Sequence, residues 1–238
     1  MAVRNDLDLY EEHAADWWGA EGSTFRSLRQ VGRFHLERIC EHFGPELDGA
    51  RLVELGCGGG FLALELAAHG AQVEALDLSP ASVLAARGEA ERRGSTVRFQ
   101  VADLCAAPFQ GESFDLATMT DVLEHVDDPG SALIEAARLL RPGGRLFVNT
   151  FDRTFLAALF VVHLGEGLGF VPRGTHDPQL FVRPIELQQM GMAAGLRVES
   201  LGWERPDLWR TLSSRTVHLR SSNSGFGYHA VLVKEDGA

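Results

Sequence analysis

The chain has 238 residues, 45% of them hydrophobic, which suits one α/β domain with an added segment but is short for two full domains. Its formal net charge of −11 argues against nucleic acid as a partner. Cys40, Cys57 and Cys105 show no metal or redox spacing, and the N-terminus lacks the apolar core of a signal peptide. No apolar run approaches the ~20 residues that span a bilayer, so we expect a cytoplasmic protein with reduced thiols.

Residues 1–48 predict a helical leader. Apolar side chains at helical spacing mark one face of its first part: Tyr10, Ala14, Trp17 and Trp18. Gly22 interrupts the pattern, and a second apolar helix follows and runs to Gly44. We expect this leader to cover a ligand as a lid, or alternatively to be anchored to the core by its tryptophans alone.

Residues 52–60, Leu-Val-Glu-Leu-Gly-Cys-Gly-Gly-Gly, predict a buried strand that ends in a glycine-rich turn before a helix. This unit opens a nucleotide-binding α/β sheet, but the dinucleotide fingerprint would need glycine where Phe61 stands. Glu54, just before the first glycine, disfavours a pyrophosphate and suits a cationic ligand such as S-adenosylmethionine. The pattern therefore favours S-adenosylmethionine over NAD. The cofactor residues predicted from this unit are Glu54, Gly56, Gly58 and Gly60.

Two later strands are predicted to end near carboxylates. Asp77 lies about 20 residues beyond the glycine loop, where an acidic residue accepts hydrogen bonds from ribose hydroxyls. Asp103 follows the third strand and is predicted to accept the adenine amino group, or alternatively to stay solvated. The neighbouring residues that complete the predicted cofactor set are Leu78, Leu104 and Thr120.

Strands and helices alternate as far as Thr150, which predicts an α/β fold with a mostly parallel sheet. Two more strands, near 196–203 and 225–234, complete a seven-stranded Rossmann-like sheet with helices on both faces. The arginine-rich link between them, 205–223, is predicted to be a solvated loop or to touch an anionic surface. The single domain would comprise the leader 1–48, a cofactor-binding core 49–150, a lid or substrate insertion 151–182 and a C-terminal completion of the sheet 183–238.

Several motifs of the second half occur in one order: residues 121–126, 140–144, 171–177 and 181–187. With Trp17, Trp18 and the glycine loop, they make the chain resemble the ubiquinone-biosynthesis O-methyltransferases, a family of class I methyltransferases. The resemblance covers nearly the whole chain. It implies the class I Rossmann-like fold and S-adenosylmethionine as methyl donor. It also implies a small-molecule acceptor, the phenolic or catechol hydroxyl of a polyprenylated ubiquinone precursor of the 3-demethylubiquinol type.

The same resemblance implies a divalent metal site at Asp121, Glu124 and His125. On a helix these positions would share a face, and their ligand atoms fit Mg²⁺, Mn²⁺ or Zn²⁺. Two positions depart from the family pattern. Relatives usually carry Glu in place of Asp121, and an arginine expected near the cofactor aligns with His35.

Methyl transfer to a phenol requires loss of a proton whose pKa is near ~10. The sequence suggests two ways in which this proton could be removed, and it does not choose between them. His125 or His176 would act as general base, or a cation held at Asp121, Glu124 and His125 would lower the pKa of the hydroxyl. The predicted catalytic residues are His125, His176 and Asp121.

The apolar residues 155–171 are predicted to form a buried lid helix over an isoprenoid tail, or to touch the inner face of a membrane. Three other functions stay open. The first is the same cofactor with another acceptor, such as a secondary-metabolite phenol, an amine or a carbon. The second is an NAD-dependent oxidoreductase, opposed by Glu54, and the third is a non-catalytic binding module.

Overall fold

A mixed sheet of eight strands forms the centre of the computed structural model, which describes residues 7–19, 25–167 and 174–235. The strands are β1 (Arg51–Leu55), β2 (Gln72–Asp77), β3 (Arg98–Val101), β4 (Phe114–Met119), β5 (Leu140–Phe151), β6 (Leu196–Pro206), β7 (Leu219–Ser222) and β8 (Gly227–Lys234). Their order in the sheet is β3-β2-β1-β4-β5-β8-β6-β7. The first five strands pair in parallel, whereas β8 runs antiparallel to both β5 and β6.

Helices cover both faces of this sheet. They are α1 (Leu7–Glu12), α2 (Arg26–Phe43), α3 (Phe61–Ala68), α4 (Pro80–Arg93), α5 (Pro129–Leu139), α6 (Phe155–Ala157), α7 (Pro184–Ala193) and α8 (Leu208–Ser214). Alternate residues of β1 join different apolar clusters: Leu52 packs with α2, α3 and α4, and Val53 packs with α5 and α7. Burial on both faces explains why β1 is almost continuously apolar, as expected for a parallel strand. The predicted Rossmann-like α/β class is confirmed.

The predicted count of seven strands is wrong by one. The eighth strand, β7, lies inside the link that was predicted to be a loop, where it pairs antiparallel with residues 203–206 of β6. Its sequence, Leu-Arg-Ser-Ser, is too short and too polar to show the alternation of a strand. A tertiary partner, the extension of β6 beyond Trp203, supplies the backbone hydrogen bonds that order it.

The leader packs against the glycine loop. Ideal Cβ atoms built on Gly58 and Gly59 would lie 2.8 Å and 2.4 Å from the Trp17 ring. The Trp17 indole stacks on Phe25 with ring centroids 3.9 Å apart, and its Nε1–H donates to Ser82 Oγ over 3.0 Å. The loop can therefore carry no side chain at these two positions without displacing the leader.

The segment after β5 winds into α6 and then into a wider π-helix, Ala158–Glu166. Part of the predicted 151–182 insertion, including Val171 and Pro172 of the family motif, lies outside the described residues. Within the ranges that the structure describes, no helix combines the length and apolarity needed to cross a bilayer.

Candidate functional site at the carboxyl edge of the sheet

The glycine loop turns tightly at the end of β1. Gly56 has φ 83°, and a Cβ there would lie 2.4 Å from Val122 Cγ2. The backbone N–H groups of Gly56 and Cys57 both donate to the carbonyl of Leu76 over 2.9 Å. A side chain at position 56 would break this close approach, so glycine is required for both conformation and space.

Asp77 ties the loop to the end of β2. Its Oδ2 accepts from the Gly58 N–H over 2.7 Å, and its Oδ1 accepts from the Ser79 N–H over 2.9 Å. Burial raises the pKa of Asp77, against the opposing effect of these backbone donors. Each carboxylate oxygen has a further lone pair, so Asp77 keeps the capacity to accept from ribose hydroxyls.

Glu54 lies beneath the loop and is 2% exposed. Burial, followed by the nearby Asp77, holds its pKa well above the usual value, while a hydrogen bond from the Ala63 N–H opposes the shift. Its Oε2 has no hydrogen-bond partner among the described residues. A cationic group in the adjoining cavity would satisfy this oxygen, so the residues present fit S-adenosylmethionine.

These groups open onto a cavity of about 620 Å³. Predicted cofactor residues that line it are Glu54, Gly56, Gly58, Asp77, Leu78, Asp103, Leu104 and Thr120. Gly60 is not in the lining, because its Cα faces the Phe99 ring and Ala86, which a Cβ would approach within 2.8 Å. Asp103 lines the cavity and also caps a short turn by accepting from the Cys105 N–H. Gly60 is therefore needed for packing of the loop against Phe99 and Ala86.

Replacing Asp77 with alanine is expected to weaken binding of S-adenosylhomocysteine by about 10²–10⁴-fold, because the two hydrogen bonds from the ribose hydroxyls to this charged group would contribute about 1.5–3 kcal/mol each. Isothermal titration calorimetry would measure the change. Glu74→Gln is the matched control, since Glu74 lies on the same strand and pairs with Arg98 at the surface. Equal affinity of Asp77→Ala and wild type would remove the ribose assignment.

A second cavity of about 360 Å³ adjoins the first. Its wall is largely apolar and includes Phe151, Phe160, Val161 and Phe226. The residues that line both cavities are Tyr10, Leu28, Asp121 and His125. A methyl donor in one cavity and an apolar acceptor in the other would therefore meet beside Asp121 and His125.

The predicted metal trio does not converge. Only residues 123–125 form a short 3-10 turn, and Asp121 precedes it at φ 53°, so the three side chains do not share a helix face. Asp121 Oδ1 accepts from Asn149 Nδ2 over 2.8 Å, and Glu124 Oε2 accepts from Thr150 Oγ1 over 2.8 Å. Within residues 7–19, 25–167 and 174–235, no three His, Cys, Asp or Glu side chains are placed to hold a metal ion.

Burial, followed by the charge of Asp121, raises the pKa of Glu124 to about 8, so its side chain is largely uncharged near neutral pH. Burial and the adjacent His176 lower the pKa of His125 to about 3. His125 is thus a neutral imidazole at pH 7 and a weak proton acceptor.

His176 is held by a carboxylate that the sequence interpretation missed. Glu166, itself 6% exposed, accepts from the Gly174 and His176 N–H groups and lies 3.3 Å from His176 Nδ1. The His176 ring faces the acceptor cavity, with its centroid 5.6 Å from that of His125. A proton held on Nδ1 toward Glu166 leaves Nε2 free of hydrogen, as in other carboxylate–histidine pairs. The available signal was that Glu166 is the lone carboxylate of the largely apolar segment 155–171.

A buried chain of charged groups supports the same region. Glu204 bonds His35 Nε2 at 3.2 Å and His229 Nδ1 at 2.7 Å, and His35 Nδ1 lies 3.6 Å from Asp121 Oδ2. Burial by itself would lower the pKa of His35, but the carboxylates of Glu204 and Asp121 raise it to about 9. Burial by itself would raise the pKa of Glu204, but His35 and His229 lower it to about 2. The family resemblance drew attention to position 35, but these contacts come from the fold.

Comparison with known proteins shows which family the chain belongs to. A methyltransferase domain family matches residues 53–148. A ubiquinone biosynthesis O-methyltransferase of Xanthomonas euvesicatoria pv. vesicatoria is 39% identical over 220 residues, 90% of each chain. Another, of Aromatoleum aromaticum, is 39% identical over 199 residues, covering 82% of this chain and 83% of that one. The chain belongs to the ubiquinone biosynthesis O-methyltransferase family.

Solved structures confirm the fold of this family member. An S-adenosylmethionine-dependent methyltransferase of Thermotoga maritima superposes with a TM-score of 0.65 at 23% identity, over 96% of this chain and 99% of that one. Magnesium protoporphyrin IX methyltransferase of Synechocystis, solved with bound SAH, gives 0.67 at 18% identity, over 96% and 97%. At these identities the likeness shows the fold alone. The prediction of an S-adenosylmethionine-dependent methyltransferase is confirmed by the domain match and the relatives.

Proposed function

We propose that the chain transfers a methyl group from S-adenosylmethionine to a phenolic or catechol hydroxyl of a polyprenylated ubiquinone precursor. The observation that carries this proposal is the meeting of two cavities at Asp121 and His125. One cavity has the glycine loop, Asp77 and Glu54 for the methyl donor, and the other has an apolar wall for a ring and its tail. The names of the relatives supply the acceptor class.

Methyl transfer is an in-line displacement, so the acceptor oxygen must lie within about 3–3.5 Å of the methyl carbon and opposite the sulfur. The protein's part is to position the ring and remove its proton. We assign the proton to His176, because Glu166 orients this imidazole, whereas burial lowers the pKa of His125 to about 3. Asp121, held by Asn149, lies at the junction and orients the acceptor hydroxyl.

The divalent cation implied by the family resemblance enters no step of this proposal. Asp121, Glu124 and His125 are turned toward Asn149, Thr150 and His176 respectively, and do not form one ligand set. The proposal therefore relies on imidazole for proton removal.

We propose further that residues 155–171 contact the inner face of a membrane on the cytoplasmic side. Their described part exposes Phe155 by 80% and Leu156 by 53%, while Phe160 stacks on Phe226 inside the acceptor cavity. The exposed pair suits a lipid surface, and the half-buried pair Phe160 and Phe226 suits the tail of the acceptor. The three cysteines are free, which is consistent with the cytoplasmic expectation.

The test is a methyl-transfer assay with matched catechols that differ in tail length. We expect kcat/KM to rise more than tenfold with the first isoprene unit, because each buried CH₂ contributes about 0.8 kcal/mol. Phe160→Ala should reduce this gain, whereas Leu84→Ala, at an exposed position of α4, should leave it unchanged.

Equal turnover of tailed and untailed phenols would favour the second candidate, a secondary-metabolite phenol as acceptor. Binding of NADH with no binding of S-adenosylhomocysteine would overturn the proposed cofactor and the function with it.

A further inference from the structure

Asp121, the carboxylate at which the two cavities meet, has an unusual backbone conformation. Its φ of 53° lies in the left-handed region, which side chains other than asparagine and aspartate rarely adopt. The Asp121 N–H donates to Asn149 Oδ1 over 3.1 Å, and Asn149 Nδ2 donates back to Asp121 Oδ1 over 2.8 Å. These two hydrogen bonds fix the backbone of Asp121 and one of its carboxylate oxygens.

The other carboxylate oxygen of Asp121, Oδ2, faces a histidine of the leader. His35 on α2 is 0% exposed, and its Nδ1 lies 3.6 Å from Asp121 Oδ2. This distance is slightly longer than a hydrogen bond, and His35 Nδ1 has no hydrogen-bond partner among the described residues. A buried donor without a partner is unfavourable, so a small movement of Asp121 toward His35 would lower the free energy.

A buried carboxylate holds the opposite nitrogen of His35. The Nε2 atom lies 3.2 Å from Glu204 Oε2, and Glu204 Oε1 lies 2.7 Å from His229 Nδ1. The two ring nitrogens of His35 therefore face the carboxylates of Glu204 and Asp121. A carboxylate only accepts hydrogen bonds, so both nitrogens carry hydrogen and the ring links the two carboxylates as a donor to each.

The sheet fixes this arrangement from behind. The His229 ring stacks on Phe147, with centroids 5.5 Å apart and 13° between the ring planes. An ideal Cβ on Gly202 would lie 2.5 Å from His229 Nε2, so glycine leaves the room that this ring occupies. Phe147, His229 and Glu204 belong to the neighbouring strands β5, β8 and β6. The position of the His35 ring is thus set by the sheet as well as by α2.

His35 itself lines neither cavity, whereas Asp121 lines both. A substitution of His35 can therefore alter the reaction only through the groups that His35 holds. Glu204 also lines the acceptor cavity, but it is 3% exposed and both of its oxygens are engaged by histidines. The Asp121 side chain is 22% exposed, so it is the carboxylate through which His35 would act on a ligand.

We propose that His35 is a positioning residue, which holds the Asp121 carboxylate in the orientation that receives the acceptor hydroxyl. When the hydroxyl donates to Asp121, the 3.6 Å gap between His35 Nδ1 and Asp121 Oδ2 closes to a hydrogen bond. Hydrogen bonds of active sites are often long without substrate and shorten in the complex. A fixed hydroxyl is more often in line with the methyl carbon and the sulfur, which raises kcat. This inference rests on the proposed function, in which Asp121 orients the acceptor hydroxyl.

Double-mutant kinetics with S-adenosylmethionine and a tailed catechol test the proposal. We expect His35→Gln to lower kcat/KM for the catechol by about 10–10²-fold, mainly through kcat, the usual loss for one hydrogen bond to a charged group. In an Asp121→Asn background the same substitution should lower kcat/KM by less than about threefold, because the carboxylate through which His35 acts is already gone.

Cofactor affinity and a control variant separate positioning from folding. In calorimetry, His35→Gln should bind S-adenosylhomocysteine like wild type, because His35 does not line the cofactor cavity. His42→Gln is the matched control, since it removes an imidazole two turns further along α2, where the ring packs against that of His229. This control should keep the kcat/KM of wild type.

A measurement on the unmodified protein replaces the kinetics if His35→Gln does not fold. With isotope-labelled histidine, nuclear magnetic resonance follows the His35 Nδ1–H group as S-adenosylhomocysteine and then the catechol are added. The proton resonance should move downfield when the catechol binds, because the hydrogen bond to Asp121 then shortens. S-adenosylhomocysteine alone should leave it in place.

Two outcomes would overturn the proposal. The first is that the losses of His35→Gln and Asp121→Asn multiply in the double variant, which would leave His35 a structural role only. The second is an unchanged His35 Nδ1–H resonance when the catechol binds. If wild type methylates no catechol, the proposed function fails and this inference fails with it, whereas multiplied losses in an active enzyme overturn the inference alone.

Discussion

His176→Asn is expected to lower kcat by about 10²–10⁴-fold, the usual contribution of a general base. The affinity for S-adenosylhomocysteine should be unchanged, because His176 lines the acceptor cavity and not the cofactor cavity. Glu166→Gln should lower kcat by a smaller factor, since the imidazole is kept but its orientation and charge partner are lost. Single-turnover kinetics with a tailed catechol would separate the chemical step from product release.

His69→Asn, at an exposed residue near the end of α3, controls for the loss of an imidazole. His125→Asn is the decisive comparison. If it abolishes turnover while His176→Asn does not, the base is His125. If Glu166→Gln shifts the pH profile of kcat without changing the melting temperature, Glu166 acts through His176 and not through the fold.

Glu204→Gln is expected to lower the free energy of unfolding by about 3–5 kcal/mol, the cost of removing one partner from a buried ion pair. Glu204 is 3% exposed and His35 is 0% exposed, so the imidazolium would lose its main carboxylate with no water to replace it. Urea unfolding at pH 6 would measure the change. Glu235→Gln, in the exposed pair with Arg197, should cost no more than about 1 kcal/mol.

The same chain of groups predicts how stability depends on pH. The pKa of His35 is raised from 6.5 to about 9, so its contribution is complete below pH 6.5 and is lost as the pH rises through 9. The pKa of Glu204 is lowered from 4.5 to about 2, so its contribution is complete above pH 4.5 and is lost as the pH falls toward 2. We expect this contribution to be greatest between pH 4.5 and 6.5. In Glu204→Gln the free energy of unfolding should no longer fall between pH 6.5 and 9. If it falls there as in wild type, groups other than this pair cause the decrease.

Local chemistry explains why several features were predictable from the sequence. The glycine loop, Asp77 and the Ser79 cap each depend on residues within a few positions or at a fixed spacing along one βαβ unit. Ser79 accepts from the Ser82 N–H and so begins α4 at Pro80, as the cap pattern predicts. The placement of Asp121, Glu124 and His125 was not predictable in this way, because the turn after β4 follows from the bonds of Asp121 to Asn149 on β5.

The sequence by itself determined the α/β class, the methyl-donor loop and the family, since apolar periodicity, glycine spacing and motif order are properties of the linear chain. Only the tertiary structure decided which titratable groups meet. Glu166 meets His176 and Glu204 meets His35, the latter across 169 positions of sequence. Burial also sets their charges, and no spacing rule reports how much water surrounds a carboxylate or an imidazole. The strand β7 likewise depends on its pairing with residues 203–206 of β6, so this part of the link 205–223 acquired its structure only from the fold.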